Sequence, residues 1–318
     1  MGIKRYTANA DTTITNAYKA NLSTRATGSN MGLADSLEVF HIYGQESSSS
    51  AENSRVLIDF PVTTTITSDR SAGAIPASGS VSWFLRVHNV AHPSTLPRNY
   101  NMTILAVSSS WDEGTGLDME DYSDVGYANW TSAASSSVGV TAWTTAGGDY
   151  HASTTGSTAY FDNGTEDIEI DISHLVEEWV KGQSGGAKGN IYGVGIRMEN
   201  ESAFSSSYTK KFSARGSQYF YSRPTLEARW DSATKDDRGN FYYSSSLAPA
   251  ADNLNDVYLY NYSRGRLVDI PGIGSGDNIY VNLYASTSDA PTGSALTLCG
   301  GGGATGSWVS TGVYSAPL

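Results

Sequence analysis

Cysteine is nearly absent from this chain. Only Cys299 occurs in 318 residues, so no intramolecular disulfide can form. Long apolar runs are missing as well. No stretch of 18 apolar residues exists, which excludes a spanning helix. The N-terminus, "MGIKRYTANADTT", has no apolar signal core, and Tyr6 stands where a myristoylation signal wants Ser or Thr. Charge is scarce, at 16% of residues, against 39% hydrophobic. That excludes a disordered tail and a charge-solubilised helical protein. Basic residues are unevenly withheld. Between Arg98 and Lys181 there is no Lys or Arg, while fourteen acids fall in that window. With a net charge of −12, this surface is no nucleic-acid ligand site, because phosphate binding needs clustered Lys and Arg. Cations or a basic protein surface suit it better. These absences together read as a chain made and folded in a cytoplasm, neither secreted nor held in a membrane.

Glycine, at 33 residues, and tyrosine, at 20, are plentiful, and Ser and Thr recur throughout. Such a mix suits many short strands joined by turns. "VSWFLRVH" (81–88) places Val81, Trp83, Leu85 and Val87 on one face. "YGVGIRM" (192–198) does the same with Val194, Ile196 and Met198. "VLIDF" (56–60), "MTILAV" (102–107), "IEIDI" (168–172) and "TLEARW" (225–230) add further strands. One helix is expected, "SHLVEEWVKG" (173–182). Ser173 can cap it, Gly182 can stop it, and Leu175, Val176, Trp179 and Val180 form its apolar stripe. Glu177 and Glu178 should point away. Ten residues do not hold a helix alone, so Trp179 must dock on the sheets.

A linker-like stretch follows Trp230. Pattern resumes in "VYLYNY" (257–262), "IYVNLYA" (279–285), "ALTLC" (295–299) and "WVSTGVY" (308–314). The expectation is an all-β protein with a first domain over 1–230, a linker over 231–245 and a smaller, immunoglobulin-like β-sandwich over 246–318. The strands counted in the second domain are few, so it is expected to be incomplete or finished by a partner. No fixed-period repeat occurs, which argues against a propeller or β-helix.

Several segments, in order, resemble one family. They are "ADTTITNAY" (10–18), "NMGLADSLEVF" (30–40), "SRVLIDFPV" (54–62), "VSWFLRVHNV" (81–90) and "VSSSWDEGTG" (107–116) with a second aromatic at Trp130. "DIEIDISHLVEEWVKG" (167–182), "NIYGVGIRM" (190–198) and "FYSRPTLEARW" (220–230) complete the series. This looks like a DNRLRE domain, the disaggregatase-related jelly-roll module akin to carbohydrate-binding modules, over roughly residues 6–230. The resemblance implies a jelly-roll β-sandwich with one short helix. The segment "DRGNFYYSSSLAPAADNLNDVYLYNYSRGRLVDIPGIG" resembles stretches of structural proteins from large tailed phages, especially of marine cyanobacteria. That implies a virion protein made in the host cytoplasm and not exported.

Two motif matches carry no chemistry. "GQSGG" (182–186) fits a nucleophile elbow, but a helix precedes it where a strand is needed. "GGGATG" (301–306) fits a dinucleotide fingerprint, but a β pattern follows it where a helix is needed. The five histidines show no metal-pair spacing, and Cys299 reads as a small strand residue. "WDEGTGLDMEDYSD" (111–124) holds six acids in fourteen residues. Asp118, Glu120, Asp121 and Asp124 form either a solvated acidic loop or a Ca²⁺ loop. Ca²⁺ wants six to eight oxygens, and the glycine and terminal glutamate of an EF-hand are lacking. No other cofactor is implied. Trp130 and Trp143 are candidate stacking platforms for sugar, and Trp111 reads as a core anchor. The expected function is a non-enzymatic virion structural protein attached to capsid, neck or tail. Its partners would be other virion proteins, and it would form a homo-oligomer. The alternative is a carbohydrate-binding module for host surface polysaccharide. A polysaccharide-degrading enzyme is the third reading, motivated only by the acid-rich window.

Overall fold

Antiparallel strand pairing dominates the computed structural model, which describes residues 2–93, 96, 98–117, 126–136, 139–151, 156–182, 190–202, 208–232, 236–239, 241, 247, 249, 255–298 and 303–318. The chain divides into two compact units, 1–231 and 232–318. No helix among the described residues is long and apolar enough to cross a membrane.

The first unit contains thirteen strands among its described residues. They are β1 (Gly2–Thr7), β2 (Ala10–Thr15), β3 (Ser36–Tyr43), β4 (Ala51–Asp59), β5 (Val81–Val87), β6 (Tyr100–Ala106) and β7 (Ser132–Ser136). β8 (Gly139–Ala142), β9 (Ser157–Phe161), β10 (Ile168–Asp171), β11 (Val194–Met198), β12 (Tyr208–Ser213) and β13 (Thr225–Trp230) follow. One sheet has the order β1-β13-β5-β10. A seven-stranded sheet runs β12-β3-β4-β11-β6-β9, with β2 also paired to β4. Curled against each other, the two sheets make a jelly-roll-like all-β sandwich. Trp83, Leu85, Val56, Ile58, Ile104, Val194, Ile196 and Leu226 interdigitate between them.

The seven-stranded sheet is covered on both faces. Val56 and Ile58 point into the main core, while Leu57 between them joins a second cluster with Ile14, Val107, Trp130, Ala133 and Trp143. This explains the unbroken apolar runs "VLI" and "ILA": a strand buried on both faces has no wet side to alternate with. The outer layer is built largely from residues 107–117, 126–136 and 139–151, with Trp111, Tyr150 and Tyr192 packed against the cluster. Gly195 admits that layer. A Cβ there would lie 2.2 Å from a ring carbon of Tyr150.

The expected helix forms as α2 (Ser173–Gly182), with Leu175, Val176 and Trp179 buried. Two of its residues depart from expectation. The Ser173 hydroxyl accepts a hydrogen bond from the Trp83 backbone N–H at 2.7 Å, tying the helix to β5. Glu177 turns inward, accepting the Trp83 indole N–H at 3.0 Å and two Arg70 N–H groups at 2.8 and 2.6 Å. Burial alone would push the Glu177 carboxyl up, but these donors hold it below the usual carboxylate range. Arg70 lies on a short helix unforeseen in the sequence, α1 (Thr67–Ser71), which continues a π-helical turn over Val62–Ile66.

The second unit contains β14 (Asp256–Tyr260), β15 (Tyr262–Ser263), β16 (Arg266–Leu267), β17 (Asn278–Val281), β18 (Ala304–Ser310) and β19 (Val313–Pro317). Its main sheet runs β14-β19-β18-β17, all antiparallel, and β15 and β16 form a two-stranded ribbon. "WVSTGVY" is therefore two strands and a turn. The described part of "ALTLC", residues 295–298, lies outside strands, and Cys299 lies outside the described residues. Register places Val257, Leu259, Ile279, Val281, Trp308, Tyr314 and Ala316 on one face. Segment 268–273 roofs part of it. The Tyr314 hydroxyl accepts from the Ile270 N–H at 2.9 Å and donates to the Ile273 carbonyl at 3.0 Å. The Trp308 indole N–H donates to Asp269 at 2.9 Å.

Candidate functional site

A concavity of about 530 Å³ opens on the outer face of the seven-stranded sheet. Its geometry begins with two arginines. Arg55 on β4 and Arg197 on β11 stand on adjacent strands, one step beyond the Val56–Ile196 pair. Like charges side by side repel. Glu201, just after β11, resolves this. Its carboxylate takes the Nε and Nη2 groups of Arg55 at 2.8 and 2.6 Å, and Arg197 Nη1 lies 3.9 Å away. Arg55 also donates to the Gly147 carbonyl at 2.6 Å and packs 5.0 Å from the Trp130 ring centre. Burial would lower its pKa, yet the bonds and charge of Glu201 more than offset that and raise it. Arg197 is the more open of the two.

Asp149 forms the opposite wall. It accepts the backbone N–H groups of Thr144 and Thr145 at 2.9 Å each and the Ser109 hydroxyl at 3.1 Å. Burial pushes its carboxyl up, but these donors carry it below the usual range. Ser108, Leu105 and Tyr150 line the floor, and burial pushes the Tyr150 phenol up to about 12. His151 lines the same cleft, with Nε2 donating to the Asn190 carbonyl at 3.1 Å. The arrangement offers hydroxyls, a half-exposed guanidinium and an imidazole. It suits a polar, hydroxyl-bearing ligand. Asp149 is the one carboxylate among the described residues lining this cleft, and its oxygens accept the three hydrogen bonds given above. A second cleft of about 300 Å³ is lined by Asp59, Trp111, Asn190 and Tyr192, among others. Burial pushes the Asp59 carboxyl up to about 6.

The tryptophans expected to stack on sugar do not line the larger cleft's surface. Trp130 is 8% exposed and Trp143 is 6% exposed, both within the second cluster. The Trp143 indole N–H is spent on the Asn129 carbonyl at 2.8 Å. Large rings wedged under an outer layer leave no open face for a sugar, which corrects the platform reading. Trp111 is partly buried against the same cluster and donates its indole N–H to the Tyr192 carbonyl at 2.8 Å.

Asp118, Glu120, Asp121 and Asp124 lie outside the described residues. Their described neighbour Glu113 is bound to Arg215 by two hydrogen bonds of 2.9 and 2.6 Å and accepts the Asp11 N–H at 2.9 Å. Among the described residues no group of three or more His, Cys, Asp or Glu could hold a metal ion.

Arg197, Glu201 and Asp149 escaped the sequence reading. A signal existed for the arginines: alternation puts Arg55 and Arg197 opposite the core, and two such charges demand an acid. Nothing in sequence spacing identified Glu201 as that acid. Compared with known proteins, the chain matches no protein-family model and no curated protein.

Proposed function

We propose that this protein is a non-enzymatic structural component of a tailed-phage virion, attached to capsid, neck or tail through other virion proteins and as a homo-oligomer. The observation that carries the non-enzymatic half is the spending of carboxylates on architecture. Glu201 closes on Arg55, Glu177 on Arg70 and Trp83, Glu113 on Arg215, and Asp149 on three donors. A rigid assembly part gains from such pairing; Asp59 in the smaller cleft, raised to about 6 by burial, stands outside it. The virion half rests on the resemblance of the segment "DRGNFYYSSSLAPAADNLNDVYLYNYSRGRLVDIPGIG" to tailed-phage structural proteins, and the first unit's all-β sandwich agrees with the DNRLRE resemblance in fold. Mass spectrometry of purified particles tests it: the chain should be present in defined copy number, and its absence would sink the proposal.

A second reading, carbohydrate binding, is favoured by the 530 Å³ polar cleft. A glycan array run with and without Ca²⁺ tests it. Binding should appear on at least one host-type polysaccharide, and an array without hits counts against it.

A further inference from the structure

The exposed face of the second unit's sheet has a chemistry of its own. Antiparallel partners share a face, so register orders its side chains. One row runs Tyr258, Ser315, Ser307, Asn278 across β14, β19, β18 and β17. The next runs Asp256, Pro317, Thr305, Tyr280. Tyr260 stands two residues beyond Tyr258 on the same face, beside the buried Val313. Tyr280 is 75% exposed and Tyr260 is 37% exposed. The centre, Ser307 and Thr305 with half-buried Ser315, is small and hydroxyl-bearing. Tyrosines on β14 and β17 flank it, three strand spacings or roughly 14 Å apart.

From this arrangement we infer that the face is a glycan platform, and that its ligand is a neutral polysaccharide chain lying across the four strands. The tyrosine rings would stack on the apolar faces of sugar rings, and the hydroxyl floor would exchange hydrogen bonds with sugar hydroxyls. Two observations select this occupant. A protein interface has an apolar centre and a polar rim, whereas here the centre is polar and the aromatic rings stand at the margins. The ordered rows carry no Lys or Arg, and their one charged side chain is Asp256 at a corner. The second unit, residues 232–318, carries seven acids against four basic residues, so the face has no positive charge to hold an anionic polymer and accepts a neutral one. The inference deepens the carbohydrate-binding reading and rests on it for the ligand class, but it moves the contact from the first unit's cleft to the second unit's sheet. It does not depend on the virion assignment.

Affinity electrophoresis of the full chain through gels containing neutral glucan, mannan or galactan tests it, with an alginate gel for comparison. Light scattering follows oligomeric state in parallel. The wild type should be retarded in at least one neutral gel. The double variant Tyr260→Ala/Tyr280→Ala should bind at least about tenfold more weakly. Tyr221→Ala, a change at a more exposed tyrosine in the first unit, should keep wild-type binding and melting temperature. Retardation that survives the double variant but is lost in Arg197→Ala would overturn the inference while leaving the carbohydrate reading standing. Retardation in no gel would overturn both. Retardation in alginate alone, or a change of oligomeric state in the double variant, would overturn it in favour of an anionic polymer or a second copy of the chain.

Discussion

At the scale of single residues, the fold's polar groups are held by specific partners, and two of them make opposite predictions with pH. Asp11 is buried and accepts the Arg215 backbone N–H at 2.5 Å. Burial pushes its carboxyl from an ordinary 3.8 up to about 7. Between those values the folded protein keeps a proton that the unfolded chain has lost. Stability therefore falls as pH rises from about 4 to 7 and levels off above, by on the order of 2–4 kcal/mol for this group. Urea unfolding at pH 5 and pH 8 should show that fall in the wild type and a smaller one in Asp11→Asn, where Asp59, raised to about 6, still contributes. Glu227 behaves in reverse. Burial would raise its carboxyl, but Arg5 at 2.5 Å and Arg229 at 2.6 Å hold it down at about 2. Its contribution is complete above the ordinary 4.5 and is lost as pH falls toward 2, so Glu227→Gln should remove part of the acid-induced loss of stability. Across the cleft, Glu201→Gln leaves Arg55 buried without its counter-charge and should cost about 3 kcal/mol, whereas Arg55→Met with Glu201→Leu should cost much less. Chemical denaturation of the single and double variants separates the two outcomes.

At the scale of elements, α2 depends on docking. Trp179 is 1% exposed in the main core, so Trp179→Ala should destabilise the first unit by about 3–5 kcal/mol in thermal or urea unfolding. This helix was legible in the sequence to both end residues, because a period of 3.6 and a terminal glycine are local signals. The strands β5 and β11 were legible for the same reason, since period two is also local. What stayed hidden was tertiary. Glu177 reads as solvent-facing on a helical wheel and turns inward only because α1 brings Arg70 to it. Val62–Ser71 carries no clean helical stripe, so its π-helical turn and short helix gave little warning. Trp130 and Trp143 could not be told from exposed platforms because the outer layer that buries them is a loop-rich segment without periodicity. Gly195 marks where that layer meets the sheet. Gly195→Ala should cost about 2 kcal/mol, because a Cβ there collides with Tyr150. The double variant Gly195→Ala/Tyr150→Leu should recover part of it.

At the scale of the whole molecule, the two units differ in what they bury and what they expose. The first is a sandwich whose larger sheet is buried on both faces and whose larger cleft is walled by Arg55, paired with Glu201, and by the hydrogen-bonded Asp149. The second presents a tyrosine and hydroxyl face on a four-stranded sheet. On the proposed function, the first property suits a structural component of a particle and the second an external contact. The structural role proposed above depends on the chain being part of a virion. Quantitative mass spectrometry of gradient-purified, nuclease-treated particles tests it most directly. A virion component should appear at a fixed ratio to the major capsid protein, unchanged by a high-salt wash. Its confinement to the soluble lysate, with none in the particle fraction, would contradict it.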